Sequence, residues 1–333
     1  MTGKRSDIRA NIRPAKQLWL PLHVKGELFA SKAESVFPVG NMQLMEEVVE
    51  RGNLTTALHN VIRNEGSPGV DGMTVEELTP YLKREWPKIR GQLLSGEYIP
   101  EPVKRVEILK SGGGIRQLGV PTVLDRFIQQ ALLQVLQREW DVTFSEFSYG
   151  FRPGRSAHQA VRKAQEYLKQ GYTWVVDMDL EKFFDRVNHD KLMGEVRKRV
   201  ADERVNKLIL SFLRSGVKHR DKESETVEGT PQGGPLSPIL SNLILDLLDR
   251  ELERRGHRFV RYADDSNIYV RSERSGRRVL KSVSCFLRDH LKLKVNKAKS
   301  AVGRPWERQF LGFTFSSRQK PPHQRQGDQT VQG

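Results

Sequence analysis

Two adjacent carboxylates at a tight turn constrain this chain more than any other feature. In Tyr262-Ala263-Asp264-Asp265 the acids sit between two apolar, strand-like runs, Phe259-Val260-Arg261 before and Asn267-Ile268-Tyr269-Val270 after. A hairpin that carries Asp264 and Asp265 to its tip offers hard oxygen ligands to a divalent cation, provided a third carboxylate arrives from elsewhere. Alone, Asp-Asp in a turn is ordinary turn chemistry with two solvated carboxylates. The rest of the chain decides between the two readings.

The candidate third carboxylate lies upstream. Trp174-Val175-Val176-Asp177-Met178-Asp179-Leu180 reads as a buried strand ending on acid. Alternation sets Asp177 and Asp179 on one strand face, so pattern does not choose between them. The next segment, Glu181-Lys182-Phe183-Phe184-Asp185-Arg186-Val187-Asn188-His189, turns toward a helix. Between the two acidic segments stands Gly229-Thr230-Pro231-Gln232-Gly233-Gly234-Pro235-Leu236-Ser237-Pro238. It opens into a helix whose apolar stripe, Leu240, Leu243, Ile244, Leu247, Leu248 and Leu252, stops near Gly256.

Further segments complete an ordered set: Gly69-Val70-Asp71-Gly72, Arg116-Gln117-Leu118-Gly119-Val120-Pro121, Ser148-Tyr149-Gly150-Phe151-Arg152-Pro153-Gly154-Arg155-Ser156 and Phe310-Leu311-Gly312-Phe313. In content and order the set resembles reverse transcriptases of the group II intron type, which are intron-encoded and maturase-related. The resemblance runs from about Val70 to Phe315. It implies an α+β fold, the fingers and palm of a right-hand polymerase, with an antiparallel palm sheet backed by helices. It also implies an RNA-directed DNA polymerase that copies an RNA template from a DNA or RNA primer, using dNTPs and two Mg²⁺ ions, for which Mn²⁺ is a substitute. Group II intron RNA is the further partner implied, for splicing and mobility. Two alternatives stay open: an RNA-binding maturase fragment without efficient polymerisation, and a reverse transcriptase in a non-intron role such as phage defence. RNA binding alone has no chemical need for Asp179, Asp264 and Asp265 together, which favours an enzyme.

The resemblance also assigns roles. It selects Asp179 over Asp177 to join Asp264 as a principal metal ligand, with Asp265 close by and the Leu180 carbonyl as an extra ligand. One ion lowers the pKa of the primer 3′-hydroxyl and the other neutralises the triphosphate and departing pyrophosphate, so no His or Ser nucleophile is needed. Phe184 stands where a ring packs beneath the nucleotide sugar and blocks a ribose 2′-hydroxyl, and Phe183 is the second choice. Core packing is the simpler reading of either ring without the family. Gln232 is implied beside the incoming nucleotide, with Gly233 and Gly234 permitting close backbone approach. Lys297 or Lys299 is implied to face the leaving phosphates.

Cationic segments supply the remaining candidates. Val103 to Lys110 reads as a strand, Ser111-Gly112-Gly113-Gly114 as a turn and Ile115 to Leu118 as the return. Even spacing puts Lys104 and Lys110 on one face, with Arg116 reaching across. Such a cluster suits a nucleotide triphosphate, although lysines also guard ordinary edge strands. The resemblance selects the nucleotide for Lys110 and Arg116, and Lys104 joins them as a third candidate. In Ser148 to Ser156, Tyr149 and Phe151 interleave with Arg152 and Arg155, a mixture that contacts phosphates and stacks on a base or sugar. Arg152, Arg155 and Tyr149 are therefore candidates for template or primer binding. The competing reading makes the aromatics core, Ser156 a helix N-cap and Gly150 a turn residue.

Composition agrees with these expectations. With 333 residues, 37% of them hydrophobic, the chain is long enough to bury a sizeable core. Its formal charge of +15 points to a polyanionic partner. No apolar run is long enough to span a bilayer, and Met1 to Asp7 lacks a secretory apolar core. The lone Cys285 excludes an intramolecular disulfide or a multi-cysteine metal site, and cytoplasmic residence is expected. Four stretches follow: an arm over 1–40, a helical N-terminal segment and fingers over 41–170, a palm over 171–315 and a polar tail over 316–333. Leu44, Val48 and Val49 recur at helical spacing, Thr74-Val75-Glu76-Glu77 has the form of a capping box, and Val123 to Leu136 carries a helical apolar stripe. Members of the family normally continue into a helical thumb. The polar run from Ser316 to Gly327 predicts a C-terminally truncated chain, with salt-sensitive RNA binding and short products.

Overall fold

The computed structural model describes residues 42–109, 115–219, 222–224 and 226–315, and for Arg116, Lys222 and Glu223 the backbone alone. The expected arm, polar tail and Lys110 lie outside the described residues. Its helices are α1 (Leu44–Val48), α2 (Arg51–Arg63), α3 (Val75–Ser95), α4 (Val123–Trp140), α5 (Ala157–Lys169), α6 (Phe183–Arg186), α7 (His189–Arg197), α8 (Glu203–Arg214), α9 (Ser237–Arg254) and α10 (Glu273–Phe286). Its strands are β1 (Val103–Leu109), β2 (Ile115–Val120), β3 (Trp174–Met178), β4 (Val217–His219), β5 (Lys222–Ser224), β6 (Arg258–Tyr262), β7 (Asp265–Val270), β8 (Ala301–Gly303), β9 (Gln309–Phe310) and β10 (Phe313–Thr314).

Local signals set the helix ends. The Thr74 N–H donates to Glu77 at 2.7 Å at the start of α3, and Thr122 Oγ1 accepts from Asp125 N–H at 3.1 Å at the start of α4. Gly96, at φ 71°, closes α3, and Gly256, at φ 70°, follows α9. The helical N-terminal part packs through Leu44, Met45, Leu78, Ile128, Leu132 and Leu136, all essentially buried in a core that continues beneath β3 and β7. No helix among the described residues is long and apolar enough to cross a membrane.

Two four-stranded sheets carry the candidate residues. One has the order β2-β1-β4-β5, with β1 and β4 parallel. Its β4 and β5 are three-residue strands with no visible sequence pattern. The other, β6-β7-β3-β8, is antiparallel throughout. Alternation divides its side chains. Val176, Met178, Phe259, Ile268 and Val270 join the main core with α9 and α10. Val175, Val260 and Tyr269 pack on the opposite face with α5, Tyr149, Phe310 and Phe315. Burial on both faces explains why these strands read as nearly continuous apolar runs. Helix α5 thus backs this sheet, although sequence order groups it with the fingers.

Candidate active site

The strand register gathers the acids. In the β3–β7 ladder Asp177 stands opposite Asn267 and Met178 opposite Ser266. Continuing one residue brings Asp179 opposite Asp265, on the sheet face shared by Asp177. Because Tyr262 pairs with Asp265, Ala263 and Asp264 form a two-residue loop at the same end of the sheet. Carboxylates from segments far apart in sequence therefore meet at one corner.

The two acids that alternation leaves equivalent have different surroundings. Asp177 Oδ2 accepts from Arg308 Nε at 2.9 Å and Nη2 at 2.7 Å. Asp179 faces Lys299 instead, whose Nζ lies 3.3 Å from Oδ2. The Asp179 backbone is clamped: its N–H donates to Ser300 Oγ at 2.9 Å and its carbonyl accepts from Asn296 N–H at 2.9 Å. Leu180, next along, is buried and bridges to Val295. Sequence reasoning missed Arg308. Nothing local shows that the segment after β8 folds back onto β3.

Desolvation, and after it like charge, sets the electrostatics of this corner. Asp265 keeps a solvent-facing edge, yet the enclosing chain desolvates its carboxyl. That burial, with the charges of Asp264, Asp179 and Asp177, pushes its pKa up to about 7 against the opposing pull of Lys299. Burial also raises Asp177, against the favourable Arg308. A divalent cation would relieve this repulsion. Among the described residues no three His, Cys, Asp or Glu side chains form a metal cage by themselves. A complete cage is not what Mg²⁺ requires, since it keeps water and substrate phosphate oxygens in its shell and takes one or two carboxylates from the protein. The hard oxygens of Asp179 and Asp264, beside a carboxyl already strained by its neighbours, fit that requirement.

The Pro-Gln-Gly loop ties this corner to the first sheet. Thr230 N–H donates to the Phe184 carbonyl at 2.6 Å, Gly229 N–H to the Val187 carbonyl at 2.8 Å, and Gly119 N–H to the Gln232 carbonyl at 2.9 Å. Gly233 needs its lack of a side chain: at φ 140°, a Cβ would stand 2.5 Å from the Gly119 carbonyl oxygen. Gln232 Nε2 approaches Asp185 Oδ1 at 3.5 Å. Phe183 is buried in the core, whereas Phe184 is half-buried and meets it edge-on at 5.1 Å between centroids. Of the two rings, Phe184 is the one with free surface.

The other candidates are more dispersed. Lys104 is exposed at the base of the hairpin, opposite Val120 on one side and Lys218 on the other. Arg116 pairs with Ile108, about 13 Å further along at the usual strand rise, so the ladder separates these two residues. Lys297 is exposed, and Lys299 is engaged by Asp179.

Arg152 corrects its expected role. It is 4% exposed, and it donates to Asp141 Oδ1, the Asp141 carbonyl and the carbonyls of Ser145 and Ser148 at 2.6 to 2.9 Å. A guanidinium so engaged holds its own loop together and has nothing left for a template phosphate. Tyr149 is also buried, with the Arg155 guanidinium 5.3 Å from its ring centroid, so its ring packs inward as the competing core reading required. Arg155 remains half-exposed, beside Arg162 and Lys163 in an open polar cleft. Ser156 caps α5, and Gly150 lies against the acidic turn.

Residues 108–315 match the family model described as reverse transcriptase (RNA-dependent DNA polymerase). The chain belongs to this family. It is 41% identical over 193 residues to protein YkfC of Escherichia coli, covering 57% of this chain and 51% of that protein. It is 34% identical over 195 residues to the group II intron-encoded protein LtrA of Lactococcus lactis subsp. cremoris, covering 58% and 32%. A third relative, an uncharacterized 91 kDa protein in a cob intron of Schizosaccharomyces pombe, is 35% identical over 184 residues, covering 55% and 22%. The chain spans about half the length of YkfC and less of the other two.

Proposed function

We propose that this chain is an RNA-directed DNA polymerase of the group II intron type, extending a DNA or RNA primer on an RNA template with dNTPs and binding group II intron RNA. The observation that carries the reading is the β3–β7 ladder, whose last pair, Met178 and Ser266, brings Asp179 and Asp265 to the same end of the sheet as the Asp264 loop. In this reading Asp179, Asp264 and the Leu180 carbonyl would hold two Mg²⁺ ions, with Asp265 adjacent. Bound there, such ions would supply charge neutralisation at the triphosphate and lower the pKa of the primer 3′-hydroxyl. Water accepts the hydroxyl proton, the 3′-oxygen bonds to the α-phosphorus, and the bond to pyrophosphate breaks.

The chain's own groups orient the reactants. Phe184 presents its free surface beneath the deoxyribose, leaving no room for a 2′-hydroxyl. Gln232, fixed to both α6 and β2 by its loop, lines the nucleotide. Lys110, Arg116 and Lys104 offer charge to the phosphates from the hairpin, and Arg155 contacts the template. These roles follow from positioning and electrostatics, the two contributions on which phosphoryl-type transfer chiefly depends.

The test is incorporation of labelled deoxynucleotides on an annealed RNA template and primer, with and without Mg²⁺, against a DNA template of the same sequence. Mg²⁺-dependent products on RNA are expected. Products on DNA alone, or Mg²⁺-independent products, would overturn the reading.

A further inference from the structure

Arg261 is completely buried beneath the acidic turn. In β6 it pairs with Ser266 and lies in the phase of Phe259, on the face where alternation calls for an apolar side chain. Its guanidinium is instead bonded on every nitrogen. Nε donates to Asp249 Oδ1 at 2.8 Å and Oδ2 at 3.0 Å, and Nη2 donates to Asp249 Oδ2 at 2.6 Å. Nη1 donates to Asn242 Oδ1 at 3.0 Å and to the Ala263 carbonyl at 2.8 Å. Asn242 and Asp249 lie seven residues apart on α9 and so share one stripe.

The network also reaches the other side of the turn. Asn242 Nδ2 donates to the Gly150 carbonyl at 2.9 Å. A Cβ on Gly150 would stand 2.2 Å from the Ala263 nitrogen, so only glycine lets that segment close on the turn. Ala263 itself sits at φ 55°, a left-handed conformation that a residue with a side chain rarely adopts. Such conformations persist where the surroundings over-determine them. A buried ion pair is a poor source of stability compared with apolar packing, so its presence at this place calls for another reason.

We infer that Arg261, oriented by Asp249 and Asn242, is a positioning residue that holds the Ala263 peptide in its left-handed conformation and thereby aims Asp264 and Asp265 toward Asp179. For its kinetic readout the inference rests on the polymerase reading, while a metal-binding readout is independent of turnover. Without the bond to its carbonyl, Ala263 relaxes toward negative φ and the following acids turn away from β3.

The test uses the double variant Arg261→Met/Asp249→Leu, which removes both charges and leaves no unpaired buried ion. Single-turnover nucleotide addition, nucleotide KM, RNA affinity and Mn²⁺ binding by electron paramagnetic resonance are measured on the full chain. The rate is expected to fall about 30-fold or more, as for a misaligned reacting group, with KM and RNA affinity within about threefold of the parent. Mn²⁺ binding is expected to weaken about tenfold, one decade in affinity. Adding Ala263→Gly, a residue at ease at positive φ, should restore about tenfold of the lost rate if the hold on this peptide is the cause. Parent-level rate and Mn²⁺ affinity in the folded double variant would overturn the inference, as would equal losses in the Ala263 and Ala263→Gly backgrounds. Should the double variant not fold, Asn242→Ala leaves the ion pair intact and carries the same comparison, with a loss of about fivefold expected and no loss overturning it. If the parent adds no nucleotide, the polymerase reading fails and the Mn²⁺ titration alone decides this inference.

Discussion

At the acidic corner, β3 and β7 are covered on both faces, and the turn above them is bonded from below by a fully buried arginine. The β1–β2 hairpin is built differently: Leu109 is 81% exposed and Ile115 54% exposed near its outer end, and Lys104 stands in solvent at its base. The contrast follows from what each region carries. Carboxylates that repel one another spread apart unless a buried scaffold fixes them, so the corner requires packing on every side. Cations directed at a mobile polyphosphate need only a surface, since solvent stabilises them until the ligand arrives. Precision is therefore concentrated at the sheet end, and in the proposed reading the hairpin contributes charge.

Substitution at the turn should cost most. Asp264→Asn keeps the size of the side chain and removes its charge, and should lower primer extension by at least about 100-fold, as for loss of one preorganised electrostatic contact. RNA affinity should stay near the parent value in a filter-binding assay. Next in size is the scaffold beneath. Asp249→Ala leaves the Arg261 guanidinium buried and unpaired, a loss of about 3–5 kcal/mol in urea unfolding. Lys198→Ala, at the exposed pair with Glu195, should leave the urea midpoint almost unmoved.

Smaller effects sharpen the division between buried and exposed partners. Phe183→Ala should cost about 3–5 kcal/mol of stability, as expected for a buried ring. Phe184→Ala should spare most of that and instead lower discrimination between deoxynucleotides and ribonucleotides by about tenfold, read from paired incorporation rates. An unchanged ratio in a folded variant would remove Phe184 from the sugar. The arginines of the 148–156 segment divide in the same way. Arg155→Ala should reduce the salt slope of RNA binding by about 1, whereas Arg152→Ala should leave the slope unchanged and lower stability.

Much of this architecture is legible in the sequence because local rules govern it. The β1–β2 hairpin follows from alternation around a glycine run, and the end of α9 follows from Gly256. The equivalence of Asp177 and Asp179 is also legible, but its resolution is not. It depends on the pairing register with β7 and on Arg308 returning from after β8, and both are long-range. The inward packing of Arg152 and Tyr149 is not legible, because a mixture of aromatics and arginines has the same composition whether it faces nucleic acid or closes on itself. Arg261 left a signal that was there to read. An arginine in the inward phase of an apolar strand, matched by Asn242 and Asp249 seven apart on the apolar side of a helix, marks a buried polar network.

In the proposed reading Asp179, brought by the β3–β7 ladder to the end of the sheet that carries Asp265, completes the nucleotidyl-transfer site. Single-turnover addition of one deoxynucleotide by Asp179→Asn tests it most directly, with RNA affinity measured on the same preparation and Asp177→Asn run in parallel. The expected result is loss of addition by Asp179→Asn at parent-level RNA affinity, with Asp177→Asn retaining more activity. Addition at the parent rate by a folded Asp179→Asn would contradict the account.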